Sequence, residues 1–104
     1  MAICELCEAA RLTEWYFEDE LCWVAECEVC YVPMVVWKQH DATPSEDIKG
    51  QLHQRLLAVV DSLFNYVPYI DDNMRNIPDH YHAHARGRGF GFGNPPPRKK
   101  NRQS

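Results

Sequence analysis

Three of the five histidines in this chain fall at alternate positions of one short run, His80-Tyr81-His82-Ala83-His84. In extended backbone, side chains alternate with period two, so the three imidazoles project from one face. Neighbouring rings are then ~6.5–7 Å apart. A helix would scatter them, because positions two apart on a helix do not face each other. A facial metal site and three surface histidines by chance are two readings of such a row among others, and its regularity tells against chance. The second chemical signal is a pair of Cys-x-x-Cys motifs, Cys4/Cys7 and Cys27/Cys30. Two thiolates at that spacing can hold one zinc ion at ~2.3 Å each, and two such pairs complete a tetrahedral four-cysteine site. The opening Met-Ala-Ile-Cys-Glu lacks the basic and then greasy pattern of a secretory signal, which predicts a reducing, cytoplasmic compartment and favours metal over disulfide. Cys22 lies in an apolar strand and reads as a core residue.

The elements that must position these groups are short. Trp15-Tyr16-Phe17 and Leu21-Cys22-Trp23-Val24-Ala25 read as two strands around the acidic turn Glu18-Asp19-Glu20. Val32 to Trp37 is a third strand, with Pro33 at its start, where a missing N–H is tolerated. A helix is predicted from Thr43 to Phe64. Thr43 is the expected cap, Pro44 occupies the first turn, and Glu46 completes a Thr-x-x-Glu capping box. Ile48, Leu52, Leu56, Val59, Val60 and Leu63 recur at spacings of three and four and give the helix one apolar face. Gly50 and His53 fall off that face or at its margin, and His53 reads as an ordinary exposed or boundary histidine. Tyr66 to Ile70 is a fourth strand, Asp71 to Asp79 a loop, and His80 to Arg86 a fifth strand. One helix among five short strands predicts an α+β fold with an antiparallel sheet.

Those strands also limit where a zinc ion could sit. Cys30 starts the third strand and His40 ends it, on the order of 30 Å apart if the strand runs straight. One metal cannot use both ends. Cys4 and Cys7 therefore join either Cys27/Cys30 or a histidine set containing His40, and spacing alone prefers the first.

Composition bounds the rest. A chain of 104 residues with 45% hydrophobic and 25% charged residues is one packed domain. It has no apolar run of the ~18 residues a transmembrane helix needs. The 15 acidic residues all lie at or before Asp79, whereas Arg86, Arg88, Arg98, Lys99, Lys100 and Arg102 follow it. From Gly87, glycines alternate with Arg88, Phe90 and Phe92, and then come Pro95, Pro96, Pro97 and a basic end. Residues 1–87 are the expected folded domain and 88–104 a disordered basic tail. The tail is a solvated appendage, an RGG-like nucleic-acid contact, or a strap against an acidic surface. So small a body gains from a metal or a homodimer partner.

In order and spacing, residues 3–86 resemble the histidine triad (HIT) family. The likeness rests on Cys4-Glu5-Leu6-Cys7, the Tyr16-Phe17-Glu18-Asp19-Glu20 hairpin and Met34-Val35-Val36-Trp37-Lys38-Gln39-His40. The single long helix and the His-x-His-x-His strand complete it. The resemblance implies a HIT-like fold stabilised by structural zinc on Cys4, Cys7, His40 and His80. It implies that His82 is a nucleophile for the α-phosphorus of a nucleotide, and that His84 contacts the phosphate or leaving oxygen. The implied activity is that of a nucleotide hydrolase or nucleotidyl transferase acting on nucleoside phosphoramidates or dinucleoside polyphosphates, in a homodimer. The chain departs from the family before the triad, where Asn76-Ile77-Pro78-Asp79 lacks the usual Gly and Ser or Gln and leaves Asn76 as the phosphate contact. It also departs in a shortened loop after the second strand, where Glu26 or Glu28 must serve the ribose. A second reading is a non-catalytic zinc-stabilised binding module, with Cys4, Cys7, Cys27 and Cys30 on the metal and the tail recruiting a partner.

Overall fold

The computed structural model describes residues 14–27, 31–72, 80–88 and 96–99. Its strands are β1 (Trp15–Glu18), β2 (Cys22–Glu26), β3 (Pro33–Trp37), β4 (Tyr69–Asp71) and β5 (His82–Arg86), and its helix is α1 (Glu46–Leu63). The five strands form one sheet in the order β1-β2-β3-β5-β4, every neighbouring pair antiparallel. Among the described residues the α+β expectation therefore holds at the level of one helix on a five-stranded antiparallel sheet.

The chain turns from β1 to β2 on Asp19, whose Oδ1 accepts the N–H groups of Leu21 (2.9 Å) and Cys22 (3.0 Å). Its Oδ2 takes the Arg55 Nε of the helix at 2.7 Å, which docks α1 over this hairpin. Burial works against ionisation of Asp19, but the Arg55 guanidinium and the two N–H groups outweigh it and hold the carboxyl below its usual range.

Helix α1 starts two residues later than its sequence signals suggested. Ser45 is the N-cap, and its Oγ accepts the Ile48 N–H at 3.2 Å. Thr43 is drawn away, because both its N–H (3.0 Å) and its hydroxyl (3.1 Å) donate to Asp41 Oδ1. Glu46 is then the first helical residue, not the third, so no capping box closes. With Asp47 it still puts negative charge at the positive end of the helix dipole. Leu52, Leu56, Val59 and Val60 pack down onto Cys22, Val24 and Val35 of the sheet, with Tyr81, Ala83 and Ala85 from the β5 side. The alanines keep the helix side of β5 thin.

Strand β4 begins at Tyr69, after Pro68, whose missing N–H delays the ladder beyond the expected start at Tyr66. Tyr66 instead donates its hydroxyl to the Ala85 carbonyl at 2.7 Å. Part of the basic tail runs back along the end of the helix. Lys99 N–H donates to Leu63 O (3.0 Å), Asn65 N–H donates to Pro97 O (2.8 Å), and Arg98 bridges Glu14 at 2.8 Å while lying over the Tyr16 and Phe64 rings.

Candidate functional site

Strand β5 carries its two rows on opposite faces. Tyr81, Ala83 and Ala85 belong to the core beneath α1, so His82 and His84 take the other face by alternation. There Val36 lies opposite His82 and Met34 opposite His84 on β3. One strand further, Trp23 and Ala25 continue the surface, with Trp15 stacked on Trp23 at 5.0 Å. The fifth strand starts at His82, not His80. His80 sits in the bend just before it, because the Tyr81 N–H is taken by the Asp41 carbonyl at 2.7 Å. All three imidazoles are buried, with 0%, 6% and 8% of His80, His82 and His84 exposed.

Each ring has a distinct role in the hydrogen bonding. His82 Nδ1–H donates to the backbone carbonyl of His80 at 2.8 Å. A carbonyl only accepts, so the neutral ring carries its lone pair on Nε2. Ring centroids of His82 and His84 lie 5.7 Å apart, edge to face. Burial, with smaller effects of Arg86 and His82, pushes the His84 imidazole down to about 4 against the opposing influence of Asp71. It is therefore neutral at pH 7. Asp71 lies opposite His84 on β4 and forms an ion pair with Arg86 at 2.6 Å.

His80 turns the other way. Its Nε2–H donates to the Trp37 carbonyl, which leaves the lone pair of the neutral ring on Nδ1. Burial is the main reason its pKa lies below the ordinary value, with the neighbouring imidazoles adding to the shift. The His40 ring stands beside it at 5.2 Å between centroids, edge to face. The fold thus brings together two of the four residues named for zinc, one from the segment after β3 and one from the bend before β5. Two imidazoles side by side suit zinc. Cys4 and Cys7 lie outside the described residues, and among the described residues no group of three or more His, Cys, Asp or Glu could hold a metal.

The other nominated residues divide. Asn76 lies outside the described residues, as do Glu28 and Cys30. Glu26 shares the helix-side face of β2 with Cys22 and Val24, and its charge is felt by Tyr16 and Arg98. It is on the opposite side of the sheet from His82. Cys27 is buried with Val32 beside Met34. Cys22 is fully buried, and burial pushes its thiol up to about 12, as a core residue requires. A groove of about 320 Å³ lies between β1 and α1, lined by Tyr16, Phe17, Arg55, Val59 and Leu63, well away from the imidazole row.

Sequence reasoning missed one polar group. His53 is half-buried, and its Nε2 meets the Tyr81 hydroxyl at 2.8 Å, while that hydroxyl donates to Asp72 Oδ2 at 3.0 Å. The available signal was the place of His53 one residue after Leu52, at the margin of the helix face that covers β5. Comparison of the chain with protein-family models, curated proteins and solved structures returns no match.

Proposed function

We propose that the chain is a HIT-like nucleotide hydrolase or nucleotidyl transferase that works through His82. The observation carrying this reading is the hydrogen bond from His82 Nδ1–H to the His80 carbonyl. It fixes one tautomer and leaves Nε2 as the basic, nucleophilic nitrogen. That lone pair attacks the α-phosphorus. A bond forms between Nε2 and phosphorus as the bond to the leaving oxygen or nitrogen breaks, and the electron pair departs with the leaving group. Water or another acceptor then attacks the same phosphorus, the Nε2–phosphorus bond breaks, and the ring regains its lone pair while the acceptor's proton passes to solvent. His84, 5.7 Å away between centroids, is the neighbouring ring beside the phosphate and leaving group, and its neutral form offers an acceptor nitrogen to a proton-bearing leaving group or incoming water.

Structural zinc, when bound by Cys4, Cys7, His40 and His80, would tie the N-terminal segment to the two ends that flank the imidazole row. The proximity of His40 and His80 supports that ligand set over one built on Cys27/Cys30. Its test is metal content. His40→Ala should release zinc, whereas Cys27→Ser and Cys30→Ser should retain it.

The reading is tested by incubating the full chain with adenosine 5′-phosphoramidate and with a dinucleoside polyphosphate. Expected outcomes are release of AMP and, after acid-free quenching, a nucleotidyl adduct on His82 that His82→Ala abolishes. Absence of turnover and adduct across the panel overturns it. One observation favours the second reading, a non-catalytic zinc-stabilised module: His82 and His84 are 6% and 8% exposed, close cover for groups that must meet a substrate. Reversal of the metal-content results, with no turnover, would establish that module.

A further inference from the structure

Between the catalytic face of β5 and the helix lies one peptide group, His80–Tyr81, used from both ends. Its carbonyl accepts the His82 Nδ1–H at 2.8 Å, and its N–H donates to the Asp41 carbonyl at 2.7 Å. A trans peptide is planar, with C=O and N–H pointing in opposite directions. The unit is thus stretched between His82 on one side and the residue following His40 on the other. Its rotation decides whether His82 keeps its acceptor.

The side chain that follows this peptide is held equally firmly. Tyr81 is 2% exposed and packs among the core residues under α1. Its hydroxyl accepts from His53 Nε2–H at 2.8 Å and donates to Asp72 Oδ2 at 3.0 Å. Three separate pieces of chain meet there: the middle of α1, the end of β4, and the start of β5. Burial, together with the Asp72 carboxylate, pushes the phenol up from its ordinary value, so it stays protonated and remains a donor. Burial pulls His53 down, and as a neutral ring it offers the single Nε2–H the hydroxyl accepts. The Lys49 ammonium lies 5.9 Å from the centre of the Tyr81 ring and adds a cation to the same pocket edge.

We propose that Tyr81 is a positioning residue whose hydroxyl, braced by His53 and Asp72 on the helix face, fixes the His80–Tyr81 peptide and thereby the tautomer of His82 on the opposite face. The inference rests on the reading of His82 as nucleophile for its effect on turnover, but not for its effect on the tautomer. A tyrosine placed only to fill the core would need no hydroxyl, and phenylalanine would serve. Here the hydroxyl makes two bonds that set the ring, and the ring sets the backbone unit on which His82 depends.

The test uses Tyr81→Phe and His53→Gln in the full chain, the second variant loosening the brace without altering Tyr81. Side-chain ¹⁵N NMR reads the His82 tautomer, and steady-state kinetics with adenosine 5′-phosphoramidate read kcat and KM. In the wild type, His82 should show a protonated Nδ1 and an unprotonated Nε2. In both variants that pattern should move toward a mixture of tautomers, with kcat down by about tenfold to a hundredfold and KM nearly unchanged. An unchanged pattern and unchanged kcat, with only a lower Tm, would reduce Tyr81 to packing and overturn the proposal. If the pattern shifts in a chain whose wild type turns over no substrate, the brace stands and the phosphorus chemistry falls. If the wild type is active and the pattern stays fixed, the brace alone falls.

Discussion

The two faces of β5 are buried to the same degree by opposite means. Under the helix, Ala83 and Ala85 are 0% exposed and Tyr81, just before the strand, 2%; on the other side His82 and His84 are 6% and 8%, with His80 fully buried in the preceding bend. Burying a methyl removes apolar area from water at a gain of about 25 cal/mol per Å². Burying an imidazole gains its ring carbons but requires a partner for its N–H and favours the neutral form. The histidine row meets that requirement with backbone carbonyls: Trp37 for His80 and His80 for His82. Among the described residues no buried side-chain nitrogen or oxygen lacks a hydrogen-bond partner. One face is therefore held by packing, and the other also by a chain of donors and acceptors that leaves the lone pair of the neutral His82 ring on Nε2.

The contrast is broken most sharply by a pair of substitutions, one on each side. Under the proposed chemistry, His82→Ala should cut turnover of adenosine 5′-phosphoramidate by at least ~1,000-fold, equivalent to about 4 kcal/mol of barrier, and leave the metal content of the chain as in the wild type. Leu56→Ala, at a fully buried helix position above the sheet, should leave kcat within a few fold well below Tm. It should lose about 2–5 kcal/mol in urea denaturation. Equal activity losses in the two variants would mean that the faces do not divide the work as described.

A pH experiment separates the faces without changing the core. The His84 imidazole titrates at about 4 in the folded chain, mainly through burial, against roughly 6.5 unfolded. A depressed folded value means that the unfolded chain binds the extra proton first. The contribution is complete above about pH 6.5 and is lost as pH falls toward 4, by up to on the order of 3 kcal/mol. His84→Gln should flatten the stability profile across that window. Asp19 titrates in a lower window, since Arg55 and two N–H groups depress it: its contribution is present above the ordinary carboxylate pKa of about 3.9 and disappears below. Asp19→Asn should cost about 1–2 kcal/mol at pH 7, measured by urea denaturation, and steadily less as the medium is acidified.

How far the fold could be read ahead of the coordinates follows from which interactions are local. Alternation put the rings of His82 and His84 on one face, although His80 falls in the bend before the strand, and the spacing of Leu52, Leu56, Val59 and Val60 gave the helix its buried side. Both are periodicities of neighbouring residues. The proximity of His40 to His80 was reached through family resemblance alone, and spacing preferred the other cysteine pair. A strand drawn straight from Cys30 to His40 overstated its length, since β3 spans Pro33–Trp37. Of the His53–Tyr81–Asp72 group only the marginal place of His53 on the helix face was legible, because the group joins residues 28 and 9 positions apart through a shared hydroxyl. Nothing in the period of a helix records what the strand beneath it presents. Glu26 was nominated from loop position, yet the parity of β2 turns it toward the helix side, a point that the register with β3 decides.

The smallest expected effect lies at the start of α1, where two hydroxyl residues compete for one role. Ser45 Oγ accepts the Ile48 N–H, one of the orphan donors of the first turn, whereas the Thr43 hydroxyl is spent on Asp41. Ser45→Ala should therefore cost about 1 kcal/mol. Thr43→Ala should cost less than half of that, because the Thr43 N–H to Asp41 survives the loss of the hydroxyl. Thermal denaturation of the two variants at pH 7 gives the order directly. A larger loss at Thr43 would return the cap to that residue. It would also imply that the turn after His40, whose Asp41 carbonyl holds the His80–Tyr81 peptide, is coupled to the first turn of the helix more tightly than its separate hydrogen bonds indicate.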